Sequence, residues 1–128
     1  MHTVGVGIDM VALSSIEEQL QIHGEVFEKH TFSKGELEES YKRSDRVTYL
    51  AGRFAVKEAV FKAVAHLLPE KTFDFRIVET RSDDYGCPFL VRRESINQIL
   101  EAAKVKEIYI SISNEKEYVV AIAEAIGE

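Results

Sequence analysis

The stretch from Asp45 to Pro69 constrains this chain more than any other. Asp45 is a good helix N-cap, and the apolar residues Val47, Leu50, Ala51, Phe54, Ala55, Val60, Phe61, Ala63 and Val64 follow it. At 3.6 residues per turn these cover much of the circumference, so a helix from Asp45 to about Leu67 must be wrapped by other elements. Pro69 stops it, because a proline ring cannot continue the hydrogen-bond ladder. The remaining chain therefore has to supply layers around a central helix. With 128 residues, 45% of them apolar, it is expected to do so as one domain spanning 1–128.

Val4, Val6 and Ile8 alternate with Thr3, Gly5 and Gly7, which reads as a strand running into Asp9, its glycines allowing close backbone approach. Ser14 and Ser15, each followed three residues on by Glu17 or Glu18, offer two overlapping capping boxes for a helix to about Ile22, ending near Gly24. Ser33 and Glu36 form another, with Phe32 and Leu37 at the two positions of a hydrophobic staple, for a helix to about Arg43. Beyond the central helix, Phe73–Thr80 and Pro88–Val91 read as strands joined by a polar turn. Ser95 is read as the cap of a helix bearing Ile96, Ile99, Leu100 and Ala103. Ile108–Ile112 and Tyr118–Ile126 read as a final hairpin, with Asn114-Glu115-Lys116 as its loop. The order is strand, three helices, two strands, helix, two strands. It is not a βαβ alternation, and it predicts an α+β fold with a mainly antiparallel sheet packed on the long central helix.

Net charge is −6, which argues against a broad nucleic-acid surface. Residues 1–40 hold eight acids and two lysines, while residues 41–128 hold fourteen of each sign, so the whole excess lies in the first third. A polyanion would have to be met by local basic clusters elsewhere. The lone Cys87 can make neither an internal disulfide nor a zinc cluster by itself. No apolar run approaches a membrane span, and the start Met1-His2-Thr3 does not resemble a signal peptide, so the expected location is the cytoplasm.

Glu58 and Lys62 lie four apart and share a helix face. Their spacing fits a surface ion pair, but the small and apolar neighbours Ala55, Ala59 and Ala63 suit a covered face where the charges need a metal or phosphate as further partner. Asp9 fits either a cap or a metal ligand at a strand end. Asp9 and Glu58 together suit one Mg²⁺, which takes one or two carboxylates plus phosphate oxygens and water. Arg46, Arg53 and Lys57 form one stripe, which fits equally a solvated face or a phosphate-binding ridge. No P-loop, nucleophile elbow, dinucleotide fingerprint or zinc spacing is present.

Gly7-Ile8-Asp9 resembles the first motif of the 4′-phosphopantetheinyl transferase superfamily, and Arg53-Phe54-Ala55-Val56-Lys57-Glu58-Ala59-Val60-Phe61-Lys62 its second. Leu50-Ala51-Gly52, the segment Thr31–Leu37, Gly86-Cys87-Pro88 and the hairpin Ile110–Ala121 resemble the holo-acyl-carrier-protein synthase type in order. The resemblance implies transfer of the phosphopantetheine arm of coenzyme A to a serine of an apo acyl carrier protein, releasing adenosine 3′,5′-bisphosphate, and a place in fatty acid biosynthesis. It implies Asp9 and Glu58 as Mg²⁺ ligands and Asp9, Glu58 and Lys62 as the catalytic set. Glu58 would assist deprotonation of the serine, and Lys62 would stabilise phosphate charge. Arg53, Lys57, Lys62, Pro88 and Asn114 would contact the coenzyme or shape its pocket. It further implies a homotrimer with its site between subunits, Asp9 of one chain facing Glu58 and Lys62 of the next.

Three departures stand out. Asn114 replaces the family's usual His and carries no charge. The first helix presents Glu17 and Glu18 where the family presents basic residues to an acidic carrier. Ala65-His66 replaces a small, glycine-containing stretch. These departures keep a second expectation open, a divergent paralogue that binds coenzyme A or a partner without efficient transfer.

Overall fold

The computed structural model describes residues 1–128. Its elements are β1 (His2–Ala12), α1 (Leu13–His23), α2 (Glu25–Thr31), α3 (Lys34–Ser40), α4 (Arg46–Val64), β2 (Thr80–Ser82), β3 (Pro88–Leu90), α5 (Glu94–Ala102), β4 (Val105–Glu115) and β5 (Tyr118–Gly127). One turn of 3₁₀ helix extends α4 over Ala65–Leu67, and another spans Phe75–Ile77. The main sheet is antiparallel in the order β1-β5-β4, and β2 pairs with β3 in a separate two-stranded ribbon. The α+β class and the sheet packed on the long helix are as the sequence predicts.

The helix lies on the sheet through very small side chains. Ala121, Ala123 and Ala125 of β5 and Ala55, Ala59 and Ala63 of α4 are all fully buried. On β1 even alanine would not fit. An ideal Cβ at Gly7 would stand 1.8 Å from the Ala59 carbonyl oxygen, and one at Gly5 1.9 Å from that of Ala63. Larger apolar residues, among them Leu50, Val56, Val60 and Val64, fill the flanks. Asp45 caps α4 as expected, accepting from the Thr48 amide at 3.2 Å. The Ser33–Glu36 capping box is present in both directions.

Several boundaries differ from the sequence reading, each for a tertiary reason. Asp9 lies within β1, not after it, and pairs with Ala121. Neither Ser14 nor Ser15 caps α1. The strand runs directly into the helix from Ala12, so both serines lie inside its first turn and not before it, and the Leu13 amide donates to the Glu117 carbonyl at 2.9 Å. Gly24, at φ 50°, ends α1 and starts α2, a helix the sequence does not announce because no side chain caps it. The expected helix to Arg43 ends at Ser40, and α5 begins one residue before Ser95, which does not cap it. Phe73–Thr80 is not a strand. Asp74 caps the 3₁₀ turn locally, and the Phe75 and Val78 carbonyls turn inward to accept from Lys57. The closing hairpin turns on Lys116 and Glu117, so Asn114 lies in β4, paired with Val119, and not in a loop.

Gly7→Ala is expected to destabilise the fold by at least about 2–3 kcal/mol, because strand and helix backbones must separate. Urea unfolding reads this directly. A loss below about 0.5 kcal/mol would show that the close approach is not needed.

Candidate active site

Asp9 points from β1 toward α4 and meets Lys62 there. The Lys62 ammonium donates to the Ile8 carbonyl at 3.0 Å and to Asp9 Oδ1 at 3.2 Å. Glu58 stands one helical turn before Lys62 on the same face. Its carboxyl pKa is raised, first by partial burial and then by the negative charge of Asp9, with Lys62 opposing. The two carboxylates therefore sense one another beside a shared ammonium. These three residues group within one chain, whereas the resemblance implies Asp9 of one chain facing Glu58 and Lys62 of the next.

The pair fits a hard divalent cation. Asp9 is near enough to Glu58 for its charge to raise the Glu58 pKa, and no cluster of three or more His, Cys, Asp or Glu occurs in the structure. Such a set leaves most of an octahedron to water and phosphate oxygens, as Mg²⁺ prefers.

The basic stripe is neither a solvated face nor an open ridge. Arg46 donates to Glu28 at 2.8 Å and to Ser40 at 3.0 Å. Lys57 is fully buried. Its ammonium lies 2.7 Å from Glu36 Oε1 and donates to the carbonyls of Phe75 (2.9 Å) and Val78 (2.6 Å). Burial pushes its pKa down, against the opposing pull of the Glu36 carboxylate. With three acceptors in place, Lys57 has no donor left for a coenzyme, and the expectation of such a contact is corrected.

Arg53 is buried, at 8% exposure, yet lines two cavities. Its Nη1 donates to Thr80 Oγ1 at 2.9 Å, and its guanidinium lies 4.9 Å from the centre of the Tyr49 ring. Burial lowers its pKa and raises that of Tyr49. Arg53, Arg43, Tyr49 and Asn114 line a cavity of about 300 Å³, and the first three also line a polar cavity of about 340 Å³ beside Thr80 and Arg81. Pro88 opens β3 and lines a different groove, of about 290 Å³, against β4. The structure thus groups Asp9 with Glu58 and Lys62, groups Arg53 with Asn114, and places Pro88 apart.

The two groups lie on opposite sides of α4. Glu58 and Lys62 face β1, whereas Arg53, five and nine residues earlier, projects about 140° and 180° away around the helix and bonds Thr80. Sequence reasoning missed Glu36, Thr80 and Tyr49. Only Glu36 left a signal, an acid at the third position of a capping box between the apolar Phe32 and Leu37.

Residues 5–123 match the sequence pattern of the 4′-phosphopantetheinyl transferase superfamily. The chain is 38% identical over 117 residues to the holo-[acyl-carrier-protein] synthase of Thermodesulfovibrio yellowstonii, covering 91% of this chain and 93% of that one. Its fold is similar to the crystal structure of holo-[acyl-carrier-protein] synthase from Neisseria meningitidis, with a TM-score of 0.87 and 29% identity over 97% of this chain and 98% of that one. It is also similar to the holo-(acyl-carrier-protein) synthase from Bacillus anthracis in complex with CoA (3′,5′-ADP), with a TM-score of 0.78 and 29% identity over the full length of both.

Two outcomes follow from the site's charges. Asp9→Asn should lower the Glu58 pKa, because a negative neighbour is lost, and Lys62→Met should raise it, because a positive one is lost. Carboxyl ¹³C titration by NMR measures both, and shifts of the opposite sign would contradict the shared cluster. Separately, Lys57→Met should cost about 3–5 kcal/mol in urea unfolding, since it strands Glu36 as a buried unpaired charge.

Proposed function

This chain belongs to the 4′-phosphopantetheinyl transferase superfamily, and on that premise we propose that it is a holo-acyl-carrier-protein synthase. It moves the 4′-phosphopantetheine arm of coenzyme A onto a serine of an apo acyl carrier protein and releases adenosine 3′,5′-bisphosphate. The observation that carries this reading is the Lys62 ammonium seated between the Ile8 carbonyl and Asp9, one turn from a Glu58 whose pKa is raised.

The reaction exchanges one phosphorus–oxygen bond for another. The serine oxygen bonds to the phosphorus that carries the pantetheine arm, the bond from that phosphorus to the bridging oxygen of the pyrophosphate breaks, and the serine proton leaves. Asp9 and Glu58 are the residues that would hold Mg²⁺, which supplies neutralisation of the pyrophosphate charge when bound. Glu58 assists removal of the serine proton, directly or through water. Lys62 is a point charge within reach of the same phosphates, favouring the more negative transition state. Arg53 and Asn114 bind the nucleotide end, Arg53 as a phosphate fork and Asn114 as a neutral donor. Pro88 shapes a further part of the coenzyme pocket.

Nucleotide and chemistry residues lie on opposite sides of α4, which supports a site shared between chains. In that arrangement the Arg53–Asn114 cavity of one protomer completes the Asp9–Glu58–Lys62 cluster of another. The sheet's outer face supports self-association as well. Val6, Ile8 and Met10 of β1 and Ile122 of β5 are all exposed and adjacent, and β1 is an edge strand. A homotrimer fits this arrangement. The holo carrier product places the reaction upstream of fatty acid biosynthesis, in the cytoplasm. No helix of the protein is long and apolar enough to cross a membrane. The acidic, exposed Glu17 and Glu18 on α1 make a strongly acidic carrier helix a slow docking partner there, so a less acidic carrier is the better substrate.

The direct test incubates the protein with Mg²⁺, coenzyme A and a panel of apo carrier proteins, and looks for the phosphopantetheine mass increment. Absence of the increment on every carrier, with coenzyme binding intact, would favour a binding paralogue instead. Glu58→Gln should fold normally yet lose turnover on the order of 10²–10⁴-fold. Asn114→His should tighten coenzyme A binding at low salt in calorimetry, whereas an unchanged affinity would place position 114 away from the nucleotide.

A further inference from the structure

We propose that Thr80, anchored by Glu36, is a positioning residue that fixes the Arg53 guanidinium for a phosphate of the coenzyme. The proposal rests on the reading of Arg53 as a coenzyme contact and adds the residues through which that contact is set. Thr80 is almost completely buried, at 1% exposure, and lies 27 residues from Arg53 in sequence. Its hydroxyl oxygen accepts from Arg53 Nη1 at 2.9 Å, and its amide donates to Glu36 Oε2 at 3.2 Å. The other Glu36 oxygen is held by the Lys57 ammonium at 2.7 Å and by the Ser33 amide at 3.0 Å. A relay of hydrogen bonds thus runs from the buried Lys57, through Glu36 and Thr80, to one edge of the guanidinium.

The rest of that guanidinium is also constrained. Its flat face lies over the Tyr49 ring. Its Nε is buried and has no hydrogen-bond partner in the protein. The arginine stem has several rotatable bonds, so an unrestrained side chain would lose more freedom on binding. Thr80 removes that loss in advance. Glu58 and Lys62 lie on the other side of α4, so the relay acts on coenzyme binding and leaves the chemical step alone.

Thr80→Val tests this in the full-length enzyme. Valine keeps the shape and the backbone amide bonded to Glu36 but lacks the acceptor oxygen. Initial rates with coenzyme A varied at a fixed apo-carrier concentration should show KM for coenzyme A raised about five- to tenfold. The turnover number should stay at the parental value, whereas the thermal midpoint should fall by a few degrees, because a buried guanidinium donor loses its acceptor. Thr80→Ser, which restores the oxygen, should restore KM, and Thr80→Val should add nothing to an Arg53→Ala enzyme. The relay is overturned if Thr80→Val leaves KM unchanged while Arg53→Ala raises it, or if the valine variant loses turnover as well as thermal stability. An Arg53→Ala enzyme with parental KM would instead remove the coenzyme reading of Arg53, and the relay with it.

Discussion

Backbone contact between β1 and α4 is the constraint on which the rest depends. Gly5 and Gly7 bring the strand against the carbonyls of Ala63 and Ala59 with no side chain between them. The alanines of β5 continue the same shallow floor under the helix. At that separation a lysine on the helix reaches the strand's own backbone, which is how Lys62 bonds the Ile8 carbonyl as well as the Asp9 carboxylate. A normal interleaved layer of leucines and isoleucines would lift Lys62 and Glu58 away from Asp9. The small residues therefore act on the chemistry by bringing main chains together, although none of them touches a reactant.

The charges of α4 divide by face, and the division explains the uneven charge of the sequence. Arg46 and Lys57 are matched by Glu28 and Glu36, both from the acidic first third. Glu36 is a buried counter-ion and Glu28 a partly buried one, and together they clamp α2, α3 and the 75–80 segment onto the helix. A buried pair of this kind adds little to net stability compared with an apolar pair, yet it fixes its surroundings geometrically. Lys57 shows this directly, since its single ammonium ties together Glu36, Phe75 and Val78. Other acids of the first third, Glu17, Glu18 and Glu25, are exposed and do contribute to the surface field.

The sequence made the central helix, the antiparallel hairpin and the Ser33–Glu36 box legible because each is governed by local spacing. The trio proposed as catalytic was legible too, but as a resemblance: spacing alone put Glu58 and Lys62 on one face and could not bring Asp9 to them. Errors arose wherever a distant group answers a local need. The serines at 14 and 15 looked like caps, yet Glu117 of the far hairpin supplies a carbonyl at that helix start. Phe73, Phe75 and Ile77 alternate like a strand. Instead Phe73 and Phe75 surround the Phe61 ring, and the segment's carbonyls serve Lys57. Lys57 itself was misread for the same reason. A lysine in a phosphate-binding motif looks like a phosphate ligand until its counter-ion, 21 residues earlier in the chain, is seen.

Lys57 and Lys62 show how one helix can hold both a structural ammonium and one free to meet a ligand. The first is enclosed and meets three acceptors, so every donor it owns is committed. The second is half exposed, with a side-chain exposure of 50%, and its bonds at 3.0 and 3.2 Å are longer than the 2.6–2.9 Å contacts of Lys57. Those looser partners can be exchanged for phosphate oxygens at small cost, whereas those of Lys57 cannot. The same contrast separates Glu36, enclosed and fully bonded, from Glu58, partly open and with its proton affinity raised. The reactivity proposed for this helix rests on incomplete satisfaction on the face toward β1, while Lys57 and Glu36 hold the face toward the 75–80 segment in place.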